Sequence, residues 1–276
     1  MSNTTEAAEI LAAGAVIAKT YCKLSDESSP FSIVPDGYVV KDLEYTLLAP
    51  TRKRSTVTVS DYDGFCRYVT RHLTQETTIY ADIEYEAGTL VLVAVLNDDG
   101  PNKAGWRDHT CTLTARQSVE WKRWTGKNKI GMNQQDFAAW LEENLGDVLS
   151  ADGMPTGGDM LQMAIGFDRT SEKRLKSKIN LQSGCVRFEY VDDEDKDTRT
   201  SMEVFSRFAI AVPVFEGSTD AYRIDARLKY RERSGKLSFW FELIRPDQTF
   251  RQAVQDVVAT ISDAVGITPI NGKPGK

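Results

Sequence analysis

A chain of 276 residues, 41% hydrophobic and 27% charged, can bury about 75% of its unfolded surface and needs no disulfide or metal staple. A net charge of −6 excludes a general polyanion-binding character, so any nucleic-acid contact has to come from a local basic patch. Cys22, Cys66, Cys111 and Cys185 stand far apart with no CxxC and no Cys/His cluster, which argues against a zinc ribbon or a disulfide framework and for a reducing cytoplasm.

Residues 5–20 read as a small amphipathic helix with Ile10, Leu11, Ala13, Gly14 and Ile17 near one face. Glu6 and Glu9 stand where a signal peptide would carry bases. Lys23 to Asp36 reads as a loop. Thr56 to Val59 predicts a short strand, after which Ser60 is expected to cap a helix with Asp63 at N3. Tyr62, Phe65, Cys66, Val69 and Leu73 follow at helical spacing. Strands are expected over Thr77–Ile83, Thr89–Leu96 and His109–Ala115. The second is the clearest apolar run, yet far shorter than the ~20 residues of a membrane span. Helices are expected over Ser118–Thr125 and Gln134–Leu145, the latter capped by Asn133 and stopped by Gly146.

Asp147 to Gly158, rich in Gly, Asp and Pro, is the expected boundary between two lobes. Beyond it, strands are expected over Lys176–Leu181, Val186–Val191, Phe208–Phe215, Tyr222–Arg231 and Lys236–Ile244, with a solvated acidic loop at Asp192–Asp197. A last helix opens at Pro246 and Asp247 and ends at Gly266 and Pro269. The organisation predicted is an N-terminal helix and linker (1–36), an α+β lobe (37–150), an antiparallel β-rich lobe with a C-terminal helix (151–266) and a disordered tail (267–276). Strands and helices without βαβ alternation indicate an α+β fold with mainly antiparallel sheets.

The connection Asn97–His109 packs Asp98, Asp99, Trp106, Arg107, Asp108 and one of two histidines between two strands. A plain turn needs only Asn97, Gly100 and Pro101. Two readings follow. In one, Asp108 and His109 hydrogen-bond the loop and a buried Trp106 anchors it. In the other, Asp98, Asp99, Asp108 and His109, with Asp82 and Glu84 nearby, hold a divalent metal as in a nuclease or phosphohydrolase centred on Asp98, Asp108 and His109. The spacing matches no defined metal motif, and no catalytic or metal-ligating residue is assigned. Glu120-Trp121-Lys122 resembles the E-x-K half of a nuclease site only on a strand, and its surroundings read as a helix. With no Walker A, GxGxxG or GxSxG, no cofactor is expected.

The clearest binding candidate is a strand pair. Tyr222, Ile224, Ala226, Leu228 and Tyr230 alternate with Arg223, Asp225, Arg227, Lys229 and Arg231, so period 2 places a largely basic set opposite the core. Trp240, out of phase with Phe239 and Phe241, is expected to join it. Cations beside an exposed Trp suit phosphates and a stacked base. Arg52, Lys53 and Arg54 are a second basic candidate.

Several blocks resemble the YfdQ-like family of phage and prophage proteins. They are Thr51–Val57, Ala104–His109, Val119–Trp124, Pro213–Gly217 and Leu243–Pro246, in order over most of the chain. The resemblance implies a phage or prophage origin and an intracellular role, and it carries no catalytic residues. The expected protein is a non-enzymatic homo-oligomer of the bacterial cytoplasm, without membrane contact, that binds single-stranded nucleic acid or a host protein. The rivals are the metal-dependent enzyme and a counter-defence protein that sequesters a nucleotide signal.

Overall fold

A computed structural model of the chain describes residues 8–14, 44–151, 153–166, 175–179, 185–191, 199–233 and 236–275. They belong to two units, Met1–Lys53 and Arg54–Lys276. In the first, residues 8–14 form helix α1, on which Ile10 and Leu11 are exposed. A 3-10 turn at Glu44–Thr46 follows, and the Glu44 carboxylate accepts from the amide and hydroxyl of Thr51. The expected loops at Lys23–Asp36 and Asp192–Asp197 lie outside the described residues.

The second unit has an α+β fold. Its first sheet runs β1 (Ser55–Val59), β4 (His109–Ala115), β3 (Thr89–Val95), β2 (Thr78–Glu84), β12 (Ile270–Asn271). The three middle strands pair antiparallel, while β1 and β12 join the edges in parallel. On β4 the pleat sends His109, Cys111, Leu113 and Ala115 inward and the intervening threonines to the other side. Helix α2 (Tyr62–Arg71) packs on β4 and β1, burying Phe65 and Val69. Asp61 rather than the expected Ser60 caps it, accepting from Gly64 N at 2.6 Å. The carboxylate at Asp61 also complements the helix dipole, which a serine hydroxyl does less well.

Within the segment expected to be a disordered tail, Ile270–Asn271 form the fifth strand. Gly266, at φ 79°, ends α6 (Pro246–Val265) in the left-handed region. The chain then returns to pair Ile270 with Tyr80, and Gly272 N donates to Ala81 O. Helix α6 packs on both α2 and β10, and the Tyr222 hydroxyl donates to Asp256 on it at 2.9 Å.

The second sheet, all antiparallel, runs β5 (Met132–Asn133), β11 (Lys236–Leu243), β10 (Tyr222–Arg233), β9 (Arg207–Val212). Its inner face meets α3 (Val119–Lys127) and α4 (Gln134–Glu143) through aromatic rings. Trp124 on α3 is fully buried, edge-on to Trp140 at 4.5 Å and within 5.1 Å of Phe241. Its indole N–H donates to Asp147 at 2.7 Å. Phe137 stacks on Phe239 and Trp140 on Phe241. Ser118 caps α3, accepting from Trp121 N and donating to Pro213 O, which pins the helix start to the β9–β10 connection. Asn133 caps α4 as expected. Asn144, not Gly146, ends it; the Asn144 amide donates back to Trp140 O, and Gly146 falls in the 3-10 turn Leu145–Asp147.

The stretch Asp147–Gly158, expected to separate one lobe from another, runs inside the second unit. There Leu149 N donates to Ala209 O along the β9 edge. Helix α5 (Gly157–Gly166), not foreseen, starts at a reciprocal cap in which Thr156 N donates to the Asp159 carboxylate and Asp159 N donates to the Thr156 hydroxyl. A third, antiparallel sheet orders β6 (Leu175–Ile179), β7 (Cys185–Val191) and β8 (Arg199–Phe205), the last also unforeseen. Among the described residues no helix is long and apolar enough to cross a membrane. Cys66 and Cys111 are free thiols. Burial pushes the Cys111 thiol up to about 11, so it stays protonated and unreactive near neutrality.

Removing the central ring is expected to cost most. Trp124→Ala should lower the free energy of unfolding by about 3–5 kcal/mol, and Trp124→Phe, which keeps most ring contacts and loses the bond to Asp147, by less. Urea denaturation monitored by circular dichroism measures both. Equal costs for the two variants would show that packing around the ring contributes little.

Candidate functional site

The outer face of the second sheet is built by register. Across β9 and β10, Arg207 stands directly opposite Arg227. Across β10 and β11, Arg227 faces Glu242, Lys229 faces Trp240 and Arg231 faces Ser238. Directly paired residues share a side of the sheet. Because Ala226, Leu228, Phe239 and Phe241 are buried on the inner side, these lie on the outer one. Arg207, Arg227, Lys229 and Arg231 are exposed and Trp240 is half-buried. Among the described residues no carboxylate is within ion-pair distance of any of the four cations. Arg223 differs. Asp225 pairs with it at 2.9 Å and its guanidinium touches the Met154 sulfur, so unlike the other four it has carboxylate and sulfur partners, although it too is exposed.

Trp240 is held by its neighbours. Its indole N–H points to Glu242 at 3.4 Å, and the Arg231 guanidinium lies 5.6 Å from the ring centroid. An open groove of about 500 Å³ runs beside the ring, lined by Lys129, Gly131, Arg231, Ser238 and Trp240. Arg207 and Lys129 escape sequence reasoning. Arg207 joins only through cross-strand register, and Lys129 arrives on a loop whose backbone N–H donates to Phe241 O at 2.8 Å.

The Asn97–His109 connection is organised around a buried acid. Asp98, 4% exposed, accepts from the Tyr80 hydroxyl at 2.8 Å and from Asp99 N at 2.9 Å. Arg107 Nε lies 2.8 Å from Asp98 Oδ1, a charge contact whose N–H is not squarely aligned with the oxygen. Burial alone pushes the Asp98 carboxyl up. Hydrogen bonds from Tyr80, Asp99 N and Thr78, with the Arg107 charge, outweigh it and hold the group below the usual aspartate value. Asn97 ties the two ends, donating to Asp108 and accepting from His109 N. The backbone turns sharply. Arg107 is left-handed at φ 54°, and a Cβ on Gly105 would stand 2.3 Å from Asn97 O.

Trp106 is not the buried anchor expected; it is 73% exposed, and the Asp98–Arg107 pair anchors the loop in its place. His109 is buried and meets the other histidine of the chain. The two rings are 5.1 Å apart, and the Tyr68 hydroxyl lies 3.0 Å from His109 Nε2. Tyr68 on α2 and His72 at its C-cap, four residues apart, are the sequence signal for this cluster. The acids considered with them go elsewhere: Asp99 accepts from Gly105 N, Asp82 pairs with Lys273 and Glu84 is exposed. Among the described residues no three His, Cys, Asp or Glu side chains gather to hold a metal ion. Glu120 and Lys122 lie on helix α3, off any strand. Arg52 and Lys53 close the first unit, and Arg54 precedes β1, on a different sheet from β10 and β11.

These features define an α+β protein with one basic, Trp-bearing sheet face. The chain belongs to the family described as "Uncharacterized conserved protein (DUF2303)", whose model matches residues 3–274. No curated protein and no solved structure matches it.

Two outcomes separate the roles of residues within the connection. Gly105→Ala should destabilise by about 1–3 kcal/mol through its backbone clash, whereas Trp106→Ala should cost under about 1 kcal/mol. Chemical denaturation reads both, and a reversed order would show that Trp106 carries the loop after all. Asp98 has a depressed folded-state pKa, so its contribution is present above the unfolded value and is lost as pH falls through the folded one. Stability curves of wild type and Asp98→Asn should therefore converge on acidification below about pH 4. A gap that stays constant down to about pH 2, below the usual aspartate range, would remove the ion pair from the account.

Proposed function

We propose that the protein acts by binding rather than catalysis, and that the outer face of the second sheet receives a single-stranded nucleic acid. The observation that carries this reading is the direct pairing of Arg207 with Arg227. Like charges directly opposite each other destabilise a sheet, and Lys229 and Arg231 extend the row at about 7 Å intervals along the strand. An anionic chain laid across the face offsets that repulsion, and Trp240 offers a flat surface to a base. Arg52, Lys53 and Arg54 belong to the reading as a secondary basic stretch.

The wider setting is a phage or prophage protein, in keeping with the YfdQ-like resemblance, that works as a homo-oligomer in the bacterial cytoplasm. Exposed Tyr45, Leu47 and Leu48 favour assembly, because apolar side chains gathered at a surface gain from being covered. The metal-dependent nuclease is disfavoured by the commitment of the Asp98 carboxylate to Tyr80, Asp99 N and Arg107.

Fluorescence anisotropy with a labelled oligothymidylate tests the reading. About four phosphate contacts predict a slope of log K against log salt near −3, from roughly −0.7 per contact on single strands. Arg207→Glu combined with Arg227→Glu should abolish binding whatever the base sequence. Equal binding by wild type and the double variant would sink the proposal. Dissociation of the double variant into smaller species, seen by native mass spectrometry, would make the face a subunit interface instead.

A further inference from the structure

Lys129 is the least comfortable residue on the binding face. Its φ of 63° is in the left-handed region, where a Cβ crowds the backbone and Gly or Asn is normally found. It is exposed, and among the described residues no acid pairs with it. Its backbone is locked all the same. Lys129 N donates to Phe241 O, and the preceding Asn128 side chain accepts from Leu243 N at 3.0 Å. The loop thus continues the hydrogen-bonded edge of β11 and holds a lysine at one rim of the groove. Arg231 and the Trp240 ring line the same groove, the guanidinium 5.6 Å from the ring centroid. Strain kept at a rigid position beside two other binding groups is a mark of function when no local side-chain contact offsets it.

We infer that this groove is a binding site for a single nucleotide, with the base stacked on Trp240 and the phosphate held between Lys129 and Arg231. The chemistry follows from what lines it. Two cations suit an anion, and a half-buried indole offers a flat apolar surface to an aromatic partner. Ser238 supplies a hydroxyl that can donate or accept at the ring edge. A volume near 500 Å³ falls within the range of small-molecule sites. Arg231, at 5.6 Å from the ring centroid, is near the outer limit of a cation–π contact, so it can leave the ring for a phosphate with little loss. The inference rests on the strand-binding reading, in which this groove takes one nucleotide of the strand, and it also describes how a lone nucleotide would be retained.

The test is an NMR titration of the whole chain, following the Trp240 indole N–H, identified by its absence in Trp240→Phe. The ligands are deoxyadenosine 5′-monophosphate and deoxyribose 5-phosphate, which carry the same phosphate with and without a base. The nucleotide should shift the Trp240 signal at millimolar concentration, and the sugar phosphate should bind at least tenfold more weakly. Lys129→Gly should keep or raise Tm while lowering nucleotide affinity roughly tenfold, the worth of one charge-assisted contact. No shift of Trp240, equal binding of the two ligands, or a Lys129→Gly variant with lowered Tm and unchanged affinity would each overturn the site. Failure of the strand reading is distinct, since Arg207→Glu with Arg227→Glu would leave oligonucleotide binding unchanged whatever the nucleotide does at Trp240.

Discussion

The aromatic layer between α3, α4 and the second sheet is the constraint on which the basic outer face depends. Trp124, Trp140, Phe137, Phe239 and Phe241 occupy one side of β11. Once they are inside, the pleat leaves Ser238, Trp240 and Glu242 no choice but the other side. The same holds on β10, where buried Ile224, Ala226 and Leu228 send Arg227, Lys229 and Arg231 outward. A slip of one residue would exchange the two sets and bury several unpaired cations, at several kcal/mol each. Core packing thus determines where the charges stand, and the charges themselves need contribute nothing to the fold.

Backbone strain is distributed in a way that separates structure from function. Among the described residues three non-glycine positions have positive φ: Arg107, Lys129 and Arg245. At Arg107 the strain is offset, since its amide donates to Asn97 O and its guanidinium meets the buried Asp98. Arg245 precedes α6, with Pro246 at the first helical position and Asp247 against its guanidinium. Lys129 has a backbone bond and, among the described residues, no side-chain partner. The first two conformations are explained by what their side chains hold within the protein. The third is held by the backbone bond from Lys129 N to Phe241 O and by the neighbouring Asn128 side chain on Leu243 N.

Much of this is legible in local sequence, and the failures have physical causes. β4 and the cap of α4 follow from alternation and from Asn133, because both signals act within a few residues. Trp106 is misplaced because hydrophobicity predicts burial only when a packed partner exists; the loop is instead closed by Gly105 against the Asn97 and Asp98 carbonyls and by the Asp98–Arg107 pair. A two-residue strand such as β12 has no periodicity to read. It exists because the β2 edge is open to it and Lys273 meets Asp82. Arg207 and Lys129 reach the face through pairings of distant segments, so they depend on register that no local window contains.

Charge balance limits how such a face can work. The chain carries −6 overall, yet fields between exposed charges decay over about 8 Å at physiological salt. At that salt a phosphate on the outer face responds chiefly to Arg207, Arg227, Lys229 and Arg231, with the Glu242 carboxylate opposite Arg227 as the near opposing charge. At low salt the distant acids come into range and oppose approach, while counterion release favours it most strongly. The two effects have opposite salt dependence, so the proposed binding depends on close placement of cations and ring rather than on long-range attraction. An overall acidic charge is therefore compatible with that proposal, and the placement it needs follows from the register that the aromatic layer imposes.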